Sequence, residues 1–171
     1  MKLHGVKSQD ASTARGKRDL AKGIENLKTV VQVNPNNWPA YWIMGKAYQA
    51  QGLSNDACDA FAGAYSIQKE NADVAREYTF ECLNVGRTAE AVELARTALQ
   101  LRPQESGLKA NLALCLLVDA QLDESLRMAN DASQADPSDK ITKTVKRMIE
   151  EVRSGMRPQP RKYSDLKGVE Q

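Results

Sequence analysis

The middle of this 171-residue chain repeats itself every 34 positions. Pro35, Pro103 and Pro137 fall on one lattice of that spacing, and Lys69 stands at its missing point. Gly23, Ala57, Ala91 and Ser125 fall on a second lattice, and Leu27, Phe61, Ala95 and Ala129 on a third. Three lattices in one phase imply repeated supersecondary units. Such units cannot bury an apolar face alone, so stacking on a neighbour supplies the core.

Each period holds two apolar stripes at helical spacing. In the first full unit these are Tyr41, Met44, Gly45 and Tyr48, then Ala57, Phe61 and Ala64. Gly52 between them suits the left-handed residue that ends a helix, and Ser54 suits the cap of the next. Gly86-Arg87-Thr88 repeats that chemistry, whereas Ala120-Gln121 makes the third turn without glycine. Aromatics are only 5% of the chain, which favours a Leu/Ala/Val/Ile helical core over a β-sandwich. The small residues Gly45, Thr79 and Ala113 fall where one helix crosses the next, with Ala57, Ala91 and Ser125 facing them.

The set Tyr41, Met44, Gly45, Tyr48, Ala57 and Phe61 resembles the tetratricopeptide signature W-x2-L-G-x2-Y, A-x3-F, P, except that Lys69 replaces the proline. The second unit matches through Ala75, Tyr78, Thr79, Cys82, Ala91, Ala95, Ala98 and Pro103. The third matches through Leu112, Ala113, Leu116, Ser125, Ala129, Ala132 and Pro137. The resemblance implies an all-α fold, a right-handed superhelix of stacked antiparallel helix hairpins.

The expected organisation is a weakly ordered segment over 1–13, a single repeat domain over 14–154, and a flexible basic tail over 155–171. Within the domain lie a half-unit (14–37), repeats at 38–71, 72–105 and 106–139, and a capping helix at 139–154. Leu20, Ile24, Leu27 and Val31 form the stripe of the half-unit, a second helix without its partner. Ser138 and Gly155 suit the two ends of the capping helix. Pro158 and Pro160 among Arg157, Arg161 and Lys162 read as a linker. Tyr163 and Leu166 have the spacing of a short docking motif, against the simpler linker reading.

Several function classes fall away. The single histidine, His4, has no acid nearby, and no nucleophile–base pair, HExxH or phosphate loop is present, so the chain is not read as an enzyme and no cofactor is expected. Cys58, Cys82 and Cys115 lie in apolar runs without CxxC spacing, which reads as reduced core thiols rather than a disulfide frame or metal site. With no signal-peptide stretch at the start, a cytoplasmic setting is expected, although a fragment of a larger or exported protein would read the same. The longest apolar run, Leu112 to Val118, is too short to span a membrane. Residues 1–33 carry seven Lys/Arg against three Asp/Glu, residues 34–139 eight against fifteen, and residues 140–171 nine against four. The basic residues do not alternate with aromatics, which argues against nucleic acid as the partner.

In proteins of this resemblance the first helices line a concave groove that holds a peptide or helix of a partner. The repeat phase places Trp42, Ile43, Lys46, Arg76, Phe80, Leu83, Asn84, Asn111, Leu114 and Leu117 on that face. An apolar strip of this kind marks an interaction site, with Lys46, Arg76, Asn84 and Asn111 as polar anchors. The competing reading is that the N-terminal segment or the C-terminal helix folds over the strip and makes it ordinary core. The Lys/Asn clamp for heat-shock chaperone tails is not matched: Trp42, Lys46, Glu77, Gly107 and Asn111 stand at its places. The expected function is therefore a protein–protein interaction scaffold or adaptor. Alternatives are a secretion-type chaperone for an apolar client, or a self-assembly module, forming a homo-oligomer or docking an acidic surface.

Overall fold

The computed structural model describes residues 13–167. The expected weak order of the first twelve residues, and the end of the tail at 168–171, lie outside the described residues. Among those described there are eight α-helices and no strand: α1 Ala14–Val33, α2 Trp38–Gln51, α3 Ser54–Ile67, α4 Ala72–Val85, α5 Thr88–Leu101, α6 Ser106–Val118, α7 Leu122–Ala135 and α8 Lys140–Arg153. A short 3-10 turn follows at Tyr163–Lys167. The chain divides into two compact units, residues 1–68 and 69–171, with the boundary beside Lys69, the lattice point that lacks proline.

One turn design closes all three hairpins. After α2 the N–H of Leu53 donates to the carbonyl of Tyr48, after α4 that of Arg87 donates to Cys82, and after α6 that of Gln121 donates to Leu116. This six-to-one bond satisfies a carbonyl that the helix end orphans, and it needs a left-handed residue just before the donor. Gly52 and Gly86 supply it with φ of 72° and 81°, and Ala120 takes the same conformation at 61°.

The donor residue is also the N-cap of the following helix, so Leu53, Arg87 and Gln121 occupy that position without a side-chain bond. Ser54, expected as a cap, is instead the first residue of α3, because the turn geometry leaves no separate capping position. Side-chain caps appear at the wider junctions. Asn37 accepts from Ala40 N–H, and Asn71 from the N–H groups of Asp73 and Val74. At α8 the cap is Asp139, bonded to Ile141 and Thr142 N–H, whereas Ser138 turns back onto Asp136.

In the first unit, α2 and α3 pack around Gly45 and the fully buried Phe61. Burying a side chain of that size stabilises by roughly 1.5–3 kcal/mol. The bulk fits because Gly45 has no Cβ: one placed there would lie 2.7 Å from the Phe61 ring. α1 packs on α2 through Ile24, its one buried residue.

In the second unit, α4–α5 and α6–α7 form successive hairpins and α8 closes on α6 and α7. Leu112, Leu116, Leu117 and Ile149 are fully enclosed. Ser125 sits at the α6–α7 crossing, where its hydroxyl donates to the Ala113 carbonyl at 2.6 Å. Arg96 on α5 binds Glu124 on α7 through two N–H···O bonds of 2.6 and 2.8 Å.

The segment after α8 departs from the flexible tail expected over 155–171. Its described part folds back onto this unit and buries Arg157, Pro160 and Leu166. Pro158 and Pro160 stop α8 from continuing, and Gly155, at φ 76°, turns the chain.

Candidate functional site

Three expected groove residues lie in the first unit, on α2, and they do not share one environment. Trp42 is half-buried with its ring edge-to-face against Phe61, centroids 5.5 Å apart. It therefore contributes to hairpin packing, which the sequence reading did not assign to it. Phe61 stands where two other units have alanine, and its bulk reaches the first helix. The Lys46 ammonium lies 5.5 Å from the Trp42 centroid and 5.8 Å from that of Phe61, a cation–π arrangement that holds a positive charge over the rings.

Ile43 points elsewhere. It is 52% exposed and lines an open groove between α1 and α2. The groove encloses about 580 Å³, and Leu20, Gly23, Leu27 and Ala47 also line it. The repeat lattice explains why it is open. Ala57, Ala91 and Ser125 occupy the position of Gly23 in later units, and each is wholly enclosed by the first helix of its hairpin. A Cβ on Gly23 would meet nothing within 4 Å. α1 runs as one helix from its Thr13 cap, so it has no hairpin partner among the described residues.

The other seven expected residues lie in the second unit. Leu83 and Leu117 are buried, 2% and 0% exposed, so in this arrangement they are core and offer no contact to a ligand. Phe80 stays 38% exposed, with Tyr163 edge-to-face against it at 4.7 Å. Leu114, half-buried, lines an apolar cavity of about 290 Å³ together with Val145, Met148, Tyr163 and Leu166.

Two of the three polar anchors expected in this unit, Arg76 and Asn84, are engaged. Arg76 lies 3.2 Å from Asp73 and 3.8 Å from Glu105, and Arg102 adds a 2.7 Å contact to Asp73. The Arg102 hydrogen bond, aided by Arg76, holds the Asp73 carboxyl below its usual range. Asn84 donates to Glu81 at 3.2 Å. Asn111 lines a small cavity with Arg76, Glu105 and Asp136. Of these contacts, Arg76–Glu105 and Arg102–Asp73 tie α4 to the turn between α5 and α6, whereas Arg76–Asp73 and Asn84–Glu81 lie within α4.

The sequence reading did not anticipate residues 157–166 as part of this surface. The Gln159 side-chain amide donates to the carbonyl of Leu117, at the end of α6. Arg157, only 7% exposed, donates from Nε to Glu151 at 2.9 Å and from its backbone N–H to the Glu151 carbonyl. The Tyr163/Leu166 spacing was the one available signal, and the surrounding prolines and basic residues outweighed it. No group of three or more His, Cys, Asp or Glu among the described residues is placed to hold a metal ion. No helix among them is long and apolar enough to cross a membrane.

Two family profiles match the chain. One, described as "Tetratricopeptide repeat", covers residues 83–149, and one described as "YpiA-like, C-terminal tetratricopeptide repeats" covers 39–105. No curated protein matches it. Solved structures share the fold at low identity. The crystal structure of MamA superposes with a TM-score of 0.72 at 17% identity, over 89% of this chain and 87% of that one. YrrB, described as "a TPR protein with an unusual peptide-binding site", gives 0.70 at 16%, over 89% and 76%. The second TPR domain of human RPAP3, solved with the HSP70 peptide SGPTIEEVD, gives 0.60 at 16%, over 67% and 98%.

Proposed function

Because the chain belongs to the tetratricopeptide repeat superfamily, we propose that it is a protein-interaction scaffold rather than a catalyst, and that its first unit holds an amphipathic helix of a partner protein between α1 and α2. One observation carries this reading: among the described residues Gly23 faces open space, at a position that later hairpins fill with a packed helix. A helix laid there would cover Leu20, Leu27 and Ile43, and would complete the hairpin that α1 lacks among the described residues. Helix-in-groove recognition uses this kind of apolar trough.

The charge of α1 selects the occupant. Arg15, Lys17, Arg18, Lys22 and Lys28 face only Asp19 and Glu25 within that helix, so acidic residues flanking the partner's apolar stripe are favoured. YrrB and RPAP3 show that proteins of this fold hold peptides, which supports the class of function without naming the client.

The test is affinity capture with the wild-type chain and with Ile43→Asp and Leu20→Ala, both in the groove lining, followed by mass spectrometry and direct titration of the captured partner. Ile43→Asp alters an exposed side chain and leaves the fold intact. A partner that depends on this groove loses on the order of 2 kcal/mol with either variant if these side chains are anchors. Equal capture by all three folded proteins would sink the reading.

A further inference from the structure

Residues 157–166 cover the face of α4 and α6 incompletely. Phe80 remains more than a third exposed against Tyr163, and Ile141, which lines the cavity beside Leu114, is 66% exposed. The 290 Å³ apolar cavity under Tyr163 and Leu166 is not filled. A segment that simply completed a core would close it, since interiors pack to crystal density with few voids. The segment also touches the face as a ligand does. Its proline-flanked Gln159 donates a side-chain amide hydrogen bond to the Leu117 carbonyl near the end of α6, and the 3-10 turn that follows places one aromatic and one leucine on the face. Arg161, Lys162, Ser164 and Asp165 between these anchors are exposed.

We propose that the α4–α6 face of the second unit is a docking surface for a partner segment bearing an aromatic residue and a leucine three positions later, behind a proline-flanked glutamine, and that residues 157–166 occupy it as an internal stand-in. This rests on the reading of the chain as an interaction scaffold and names the ligand chemistry of a second face. Partner and stand-in compete. The face is open only when the partner displaces Tyr163 and Leu166, while the Arg157–Glu151 pair keeps the segment anchored beside α8.

The probe is a fluorescein-labelled synthetic peptide with the sequence of residues 156–167, titrated against the full chain by anisotropy. The Tyr163→Ala/Leu166→Ala variant, shown to be folded by circular dichroism, should bind it at least about tenfold more tightly than wild type, because the tethered competitor is removed. Adding Phe80→Ala to that variant should abolish the gain, as should placing alanine at both anchors of the peptide. Equal affinity for wild type and variant, or a gain indifferent to Phe80→Ala, overturns the proposal. If the double variant does not fold, single Tyr163→Ala takes its place, and no gain there is equally fatal. The peptide test reads the second unit alone, so its failure leaves the α1–α2 reading standing, and loss of that reading leaves this result unaffected.

Discussion

The ring of Phe61 occupies the space that a Cβ on Gly45 would need, with three ring carbons 2.7 to 2.9 Å from that point. Phe61 is fully buried and cannot swing into solvent. Gly45→Ala gains about 1 kcal/mol of helix propensity, but overpacking costs typically 1–3 kcal/mol. The variant should therefore be destabilised. Gly23→Ala, in the open groove, should be stabilised by up to about 1 kcal/mol. Urea denaturation of the pair checks both signs.

The third hairpin turn is the least relaxed of the three. Ala120 holds φ 61° where Gly52 and Gly86 stand in the other units. A left-handed L-residue costs roughly 1–2 kcal/mol, and glycine returns part of that gain as unfolded-state entropy. Ala120→Gly should raise the melting temperature, with a net gain on the order of 0.5 kcal/mol. Gly86→Ala should lower it. A calorimetric scan in which both change in the same direction would contradict the turn assignment.

Acid should weaken the second unit. Glu124 is held below its usual range by the Arg96 hydrogen bond, Asp73 by Arg102, and Asp139 by the Thr142 hydroxyl and the N–H groups of Thr142 and Ile141. A carboxylate depressed by folding contributes stability that is complete above its unfolded pKa, about 4. That stability disappears as pH falls through the lower folded value. Melting temperature should fall on acidification below about pH 5, and less steeply in Glu124→Gln.

Arg157 should be intolerant of losing Glu151. Leaving a buried guanidinium without its carboxylate costs about 3–5 kcal/mol where the group cannot escape. Here the segment can lift away, so Glu151→Ala should release it. Limited trypsin digestion should then cut after Arg161 and Lys162 faster than in wild type, with the helical signal unchanged.

Cys58, Cys82 and Cys115 are buried thiols, none of them in a disulfide. Burial pushes the Cys115 thiol well above its ordinary value, so it stays protonated at neutral pH. Ellman's reagent should find no fast-reacting thiol among them in the native chain and three after denaturation.

Much of the architecture was legible because it depends on local spacing. The 34-residue period located every hairpin, and the Leu20–Val31 stripe placed α1. Gly52 and Gly86 marked their turns. Other features required tertiary facts. Ser54 and Ser138 have the chemistry of caps, but the tight turn gives one residue two tasks, and Asp139 outcompetes its neighbour. Trp42 was assigned to an open face because periodicity cannot show that Phe61 reaches it. Leu83 and Leu117 have the phase of inner-face residues, yet close packing of the second unit encloses them. The segment after α8 was least legible, since prolines and basic residues fit both a linker and an irregular segment packed on a surface.

That segment is joined to α8 by only a few residues around Gly155. A tethered chain meets its own surface at an effective concentration on the order of millimolar, however dilute the protein. Its grip can be individually feeble and still keep the α4–α6 face mostly occupied. Any visitor arriving from solution is thereby screened by strength, and a sticky but weakly matched apolar peptide is turned away without a specific clash.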